Sequence, residues 1–240
     1  MKKIFTAMFL LLGGIGYAQV DSTKFDMESF MIGTLDDYMG HQQTFAYSSG
    51  DKGYYQMVDI YAQGEKNIAL LIDSLFKQKY PDTYIDNNGA PKGIKLYSAL
   101  MSRLVNSYFK YVPTGSYTGF HDTVYVGILQ KDRFVTNQQK LSFIAGAFYR
   151  NGDKTGSQEC FLSIPNSASK AKICEEFLKD LGCENVSYEI KNNRIPTGHT
   201  IFFKPSQKVQ SVIDEIEKIK KKAPAGTNTL IGISLPGNNK

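Results

Sequence analysis

One dipeptide of the chain places a base beside an acid in a glycine-flanked loop. His121 and Asp122 follow Gly119 and Phe120, and a histidine that titrates near neutral pH can serve as a general base when a carboxylate orients it. Such a pair suits a hydrolase. No Gly-x-Ser-x-Gly nucleophile elbow accompanies it, so His121 and Asp122 are the only catalytic candidates, and we prefer a loop histidine without a catalytic role.

Aromatic side chains offer a different chemistry, the lining of a ligand-binding groove. Tyr111, Tyr117 and His199 fall near predicted helix ends, loops or strand starts, where an amphipathic ring can contact a ligand. The alternative, which we prefer, is that a chain without Trp packs its core with its 15 Phe and 15 Tyr. A metal site formed by His121, Asp122 and His199 rests on no spacing rule. We therefore predict neither a metal site nor a cofactor.

The chain has an odd number of cysteines, Cys160, Cys174 and Cys183, so at least one of them stays outside any intramolecular disulfide. Cys174 shares a predicted helix face with Phe177 and Leu178, which predicts a buried and inert thiol. Cys160 and Cys183 lie on or beside predicted strands. The sequence leaves a disulfide between these two open, because the geometry of a disulfide cannot be derived from sequence spacing.

The elements that would position these residues are clearest in the segment 136–222. Thr136 and Gln139 have the spacing of a capping box, which starts a predicted helix over 137–150. Further patterns predict, in chain order, a strand over 160–164, a helix over 167–181, strands over 186–190 and 199–203, and a helix over 206–221. This order predicts an α+β fold, with helices on one face of a roughly four-stranded antiparallel or mixed sheet.

The segment 53–112 shows mainly helical spacing. Apolar residues recur every three or four positions over 54–61, 68–76 and 94–108, and the last two segments predict a helical hairpin packed on the sheet. We therefore predict one α+β domain over 53–222, with a helical part over 53–112 and a sheet part over 123–222.

The two ends of the chain lie outside that predicted domain. Residues 1–18 carry two lysines, an apolar run and a small-residue exit, the pattern of a secretory signal peptide. Residues 19–52 predict a partly ordered N-terminal arm, and 223–240 a C-terminal tail. No later segment approaches the roughly 20 apolar residues of a membrane span. The expected location is the periplasm or the extracellular space.

One segment resembles a known motif. Residues 144–152, Ile-Ala-Gly-Ala-Phe-Tyr-Arg-Asn-Gly, align with the LAGLIDADG signature of the homing-endonuclease family and retain Ala145, Gly146 and Gly152. The elements of 136–222 are also similar to that family's half-domain, whose second helix ends in Leu-Gly, here Leu181-Gly182.

The resemblance implies the fold of such a half-domain, and it also places the family's metal-binding acid at Asn151. A neutral amide cannot replace a carboxylate at a divalent-cation site. A nuclease of this kind is therefore expected to be inactive.

The net charge of the chain bears on whether it binds nucleic acid. The net charge of +5 falls to +3 when Lys2 and Lys3 leave with the signal peptide, and the lysine cluster at 218–222 has no interleaved aromatics. We therefore expect no nucleic-acid partner. The predicted function is an exported, non-enzymatic binding or interaction protein for an unknown ligand or envelope partner, and the alternative is a hydrolase that uses His121 and Asp122.

Overall fold

A computed structural model describes residues 25–35, 42–44, 57–86, 93–117, 123–156, 159–165, 167–192 and 197–222. Within them lie six α-helices: α1 Met27–Thr34, α2 Lys66–Phe76, α3 Ala99–Asn106, α4 Asn137–Asn151, α5 Ala168–Asp180 and α6 Gln207–Lys222. The strands are β1 Gln42–Thr44, β2 Met57–Tyr61, β3 Tyr84–Asp86, β4 Ile94–Tyr97, β5 Phe109–Tyr117, β6 Thr123–Leu129, β7 Gly152–Thr155, β8 Glu159–Pro165, β9 Glu184–Lys191 and β10 Gly198–Lys204. The predicted α+β class is confirmed.

The centre of the fold is the pair of helices α1 and α4, which pack through two glycines. A Cβ on Gly146 would collide with the carbonyl oxygen of Phe30 and lie 3.0 Å from the Thr34 amide nitrogen. A Cβ on Gly33 would collide in the same way with the carbonyl oxygen of Phe143. The contact is reciprocal, since each glycine meets the carbonyl three residues before the other. The two backbones therefore touch about a local two-fold axis.

The predicted sheet of the C-terminal half is present with its helices on one face. Its strand order is β7-β8-β10-β9, with antiparallel neighbours throughout. Alternate residues of the two central strands face α4 and α5 and are almost fully buried: Cys160, Leu162, Ile164, Ile201 and Phe203. The residues that alternate with them along each strand point to the opposite face of the sheet.

The N-terminal half repeats this arrangement in reduced form. β6 pairs with β1 and β5 as β10 pairs with β8 and β9, and the order α1, β1, α3, β5, β6 matches α4, β8, α5, β9, β10. Residues 57–97 stand between β1 and α3. They form a small sheet of order β2-β4-β3 with helix α2, and we call residues 57–97 the inserted unit.

The predicted helical hairpin is wrong, because this inserted unit takes its place. The described part of the predicted helix over 54–61 is strand β2, in which a register shift between Met57 and Asp59 makes Val58 and Asp59 buried neighbours. A bulge of this kind imitates helical spacing. Residues 94–97 likewise form strand β4, and α3 begins only after Ser98, whose side chain accepts a hydrogen bond from the Met101 amide.

Strand β5 is absent from the predicted elements, because its Pro113 and Gly115 are residues that typically interrupt helices and strands. β5 is an edge strand of its sheet, and an edge position tolerates a proline that cannot donate a ladder hydrogen bond. The ladder with β6 shifts register between Pro113 and Tyr117. Pro113, which has no N–H to donate, and Gly115 therefore lie on an edge strand, where no further strand has to pair with them.

The prediction that the Cys174 thiol is buried is confirmed. Cys174 is fully buried on α5, and none of the three cysteines forms a disulfide. Burial raises the pKa of the Cys160 thiol to about 11 and also raises the pKa of Cys183. These thiols are therefore protonated and poorly nucleophilic at neutral pH.

The predicted signal peptide and C-terminal tail, 1–18 and 223–240, lie outside the described residues. So do the inter-strand loop 193–196 and residues 118–122. In the described part of the chain, no helix combines the length and apolar character needed to cross a bilayer.

Replacing Gly146 with Ala should lower the free energy of unfolding by about 1–3 kcal/mol, because α1 and α4 must move apart to admit the methyl group. Urea denaturation measures this. Gly156→Asn is the control, since Gly156 has φ +74 with open space around it and Asn tolerates such a backbone. Equal losses in the two variants would contradict the close helix contact.

Candidate functional site

The C-terminal ends of α1 and α4 lie close together, and two cationic side chains donate hydrogen bonds to the carbonyl groups at the end of α1. Nη1 of Arg150, in the last turn of α4, donates a 2.9 Å hydrogen bond to the carbonyl oxygen of Thr34 at the end of α1. The buried ammonium of Lys170 donates to the next carbonyl, that of Leu35. Helix C-termini carry partial negative charge, which stabilises cations placed there.

Arg150 lies at the centre of a buried ionic cluster. Its Nε and Nη2 donate to the two carboxylate oxygens of Glu65 at 2.9 and 2.8 Å, and its Nη1 donates to Asp59 at 2.6 Å. Nη2 also donates to the carbonyl oxygen of Ile60 at 3.0 Å. Together with the bond to Thr34, every N–H of the guanidinium has an acceptor. The Arg150 side chain is only 2% exposed, so water does not compete for these bonds.

Tyr61 closes the cluster from one side. The guanidinium carbon of Arg150 lies 4.7 Å from the centre of the Tyr61 ring, a cation–π geometry. Burial, followed by the negative charge of Asp59, raises the pKa of Tyr61 well above its ordinary value. The phenol therefore stays neutral. We call Arg150, Asp59, Glu65 and Tyr61 the Arg150 cluster.

The resemblance to the homing-endonuclease family implies a metal-binding acid at the end of α4, next to Arg150. In this chain the position of the metal-binding acid is Asn151, and the neighbouring acids Asp59 and Glu65 already neutralise a guanidinium. A divalent cation therefore does not fit the end of α4. Among the described residues, no three His, Cys, Asp or Glu side chains form a metal-binding group. The residues that follow α1, 36–41, lie outside the described part.

The residues of the Arg150 cluster were missed by the sequence reasoning, although a signal was present. Arg150 follows the apolar run of α4, and Asp59 interrupts the apolar strand Met57–Tyr61. A charge within an apolar element is costly unless it is paired. Two such charges of opposite sign in one chain therefore indicate a buried ion pair.

The second feature is the face of the four-stranded sheet that points away from α4 and α5, which we call the open face. Register places Phe161 opposite Phe202 and Ser163 opposite Thr200 on this face. The two Phe ring centroids are 6.2 Å apart, and both rings are partly exposed. Charged residues on the open face are Asp153, Glu159, Glu184, Glu189, Lys191 and Lys204. Acids thus outnumber lysines there.

The structure describes only part of the predicted site. His121 and Asp122 lie outside the described residues, and Tyr117 pairs in register with Thr123 at the end of β5, without a described side chain. Tyr111 lies on β5 and donates a 2.5 Å hydrogen bond to Asn106.

His199 lies on a different sheet from Tyr111, on the helix-facing side of β10. Its Nδ1 is 2.6 Å from the hydroxyl oxygen of Tyr188. Burial lowers the pKa of His199 below its ordinary value. The side chain is therefore a neutral, hydrogen-bonded member of the interior, and the proposed ligand-binding roles of these residues stay predictions.

Similarity to known proteins is visible only in structure. No family model and no curated protein matches the chain. A structure of mesophilic variants of the homing endonuclease I-DmoI superposes with a TM-score of 0.50 at 14% identity, covering 80% of this chain and 95% of that one. An I-DmoI variant solved with its target DNA and manganese gives a TM-score of 0.50 at 14% identity, covering 81% and 93%. WhiA from Thermatoga maritima gives 0.40 at 10% identity, covering 86% and 62%.

These findings confirm the resemblance to the LAGLIDADG fold and extend it beyond 136–222 to most of the chain. They also show that the functional prediction of an exported binding protein without a nucleic-acid partner is wrong, because the shared fold is one that has been solved on target DNA. The exclusion of nucleic acid rested on the net charge of the whole chain, which does not report on a single face. The leader 1–18 lies outside the described residues and stays a prediction.

Arg150→Met should lower the free energy of unfolding by about 3–5 kcal/mol, because it leaves Asp59 buried without a counter-ion and Glu65 without its bidentate partner. Urea denaturation at neutral pH gives the value. Lys179→Met is the matched control, since it breaks the exposed pair with Glu175 and should cost no more than about 0.5 kcal/mol. A loss for Arg150→Met as small as that of the control would refute the role of the Arg150 cluster.

His199 should make the protein less stable as the pH falls from 7 toward 5.5. Its folded-state pKa is lowered by burial, so the unfolded chain takes up the proton first, near the ordinary value of about 6.5. The stability linked to His199 is complete above that value and is lost as the pH falls through it. The urea midpoint of His199→Gln, which keeps an acceptor for Tyr188, should vary less with pH. Identical pH profiles for the two proteins would count against this assignment.

Proposed function

We propose that the chain is a nucleic-acid-binding protein built on a homing-endonuclease fold, in which the metal position at the end of α4 has been replaced by the Arg150 cluster. The observation that carries the proposal is the shared fold. It superposes on an endonuclease solved with its target DNA over about four fifths of this chain. The likeness defines the fold, and binding is our inference from it.

The arrangement of the surfaces supports this proposal. Helices α4 and α5 of the C-terminal half pack on one side of the sheet, whereas the rings of Phe161 and Phe202 on the open face are partly exposed. A twisted antiparallel sheet without a helical cover offers the broad, shallow surface that a nucleic acid needs.

The Arg150 cluster separates binding from metal chemistry at this helix end. A guanidinium with all its donors satisfied cannot be displaced by a cation without leaving Arg150 buried and unpaired. Binding through the open face requires none of these residues. Affinity for nucleic acid is therefore expected to be the same with and without divalent cations.

Fluorescence anisotropy of the full chain with a labelled 20-nucleotide strand and with its duplex tests the proposal, in EDTA and in magnesium or manganese. We expect saturable binding to at least one of the two, with equal affinity in all three buffers. Ser163→Glu, which adds a negative charge to the open face, should weaken binding several-fold. Val135→Glu is the matched control, because Val135 is 81% exposed and lies before α4, outside the sheet.

No binding to either nucleic acid at high micromolar protein would overturn the proposal. Equal affinity of Ser163→Glu and Val135→Glu would leave nucleic-acid binding in place but move it away from the open face.

A further inference from the structure

The open face carries aromatic rings where a duplex-binding face would carry cations. Phe161 and Phe202 lie opposite each other on the two central strands, with ring centroids 6.2 Å apart and planes inclined by 43°. Their nearest register neighbour on the edge strand β7 is Asp153. Two partly exposed rings side by side in the middle of a sheet form a platform on which flat, apolar groups can stack.

Charge on the open face argues against a duplex. Four acids stand against two lysines, and Lys204 already pairs with Glu184 at 2.9 Å. Duplex binding without base contacts depends on several lysines or arginines that displace counterions from the phosphates. The other lysine, Lys191, lies opposite Gly198 at one end of β10 and forms no ion pair with the described residues. A face with this charge balance gains little from a double helix.

A buried hydroxyl beside the platform points to a bound ligand. Thr200 precedes Phe202 by two residues on β10 and so lies on the same face. Its side chain is 2% exposed, and its Oγ1 has no hydrogen-bond partner among the described residues. A buried hydroxyl without a partner costs about 1–3 kcal/mol. A ligand that supplies the missing hydrogen bond would recover that cost on binding.

We propose that the open face binds single-stranded nucleic acid, with successive bases stacked on Phe161 and Phe202, a polar group of the strand bonded to Thr200, and a phosphate near Lys191. This inference rests on the proposed nucleic-acid function and specifies its substrate class. Unpaired bases expose the π-faces that stacking requires, whereas a duplex hides them. Binding that gains from stacking rather than from charge depends only weakly on salt concentration.

The test measures the anisotropy of labelled 12-nucleotide oligo(dT) and oligo(U) and of a 12-base-pair duplex with the full chain, at two salt concentrations. We expect the single strands to bind more tightly than the duplex. Phe161→Leu and Phe202→Leu should each weaken single-strand binding roughly 5- to 150-fold. Tyr84→Leu is the matched control, because Tyr84 is an aromatic residue 50% exposed on the inserted unit, and it should leave the affinity unchanged.

Two further variants keep the proposal testable if a Leu variant folds poorly. The chain contains no Trp, so Phe202→Trp introduces a single reporter whose fluorescence should be quenched when a base stacks on it. Thr200→Val removes the unpartnered hydroxyl and should weaken single-strand binding without lowering the urea midpoint. The comparison of oligo(U) with oligo(dT) shows whether the 2′-hydroxyl of RNA contributes to the bond with Thr200.

Tighter binding of the duplex, together with unchanged affinity in both Phe variants and no quenching of the Trp reporter, would overturn this inference and leave the proposed function standing. Absence of binding to all three ligands would overturn the proposed function as well.

Discussion

The close approach of α1 and α4 determines the geometry of the rest of the molecule. Because Gly33 and Gly146 lack side chains, each helix backbone touches a carbonyl group of the other. Helices in contact at this distance must end close together, so the carbonyl groups of two helix C-termini gather in one place. Partial negative charge then accumulates in the interior. Arg150 and Lys170 are the buried cations that compensate it.

The inserted unit stabilises one of these two cations, Arg150. A guanidinium in the interior needs acceptors for all its donors and a counter-charge, since the desolvation of an unpaired cation costs several kcal/mol. The inserted unit supplies both through Asp59, Glu65 and the carbonyl group of Ile60. These bonds hold residues that are distant in sequence, from β2 to α4, in one arrangement.

The Arg150 cluster and the open face are separate parts of the molecule. The helix ends are closed by an internal ionic cluster, while the open face remains available and carries rings and acids rather than a basic surface. In the proposed complex, stacking and the hydroxyl of Thr200 would carry more of the binding energy than phosphate contacts. One fold can carry different chemistries, because function depends on the residues of a site and not on the fold alone.

The sequence alone determined the elements whose signals are local. The capping box of Thr136 and Gln139, the apolar face of α5 with Cys174, and the short apolar strand of β8 are all visible within a few residues, because caps and periodicity depend on neighbours in the chain. The LAGLIDADG-like segment could also be recognised from local sequence, because the contact of Gly146 with α1 requires a small residue at a fixed position of the motif.

Only the tertiary structure decided what depends on distant partners. The bulge in β2 imitated a helix because its periodicity is set by pairing with β4, and the edge position that tolerates Pro113 exists only once β5 has paired with β6. Arg150 donates a hydrogen bond to Asp59, 91 residues away in the chain, and Phe161 contacts Phe202 on the neighbouring strand. Local spacing does not predict these contacts, because they follow from the packing of whole elements and not from the residues that flank each partner.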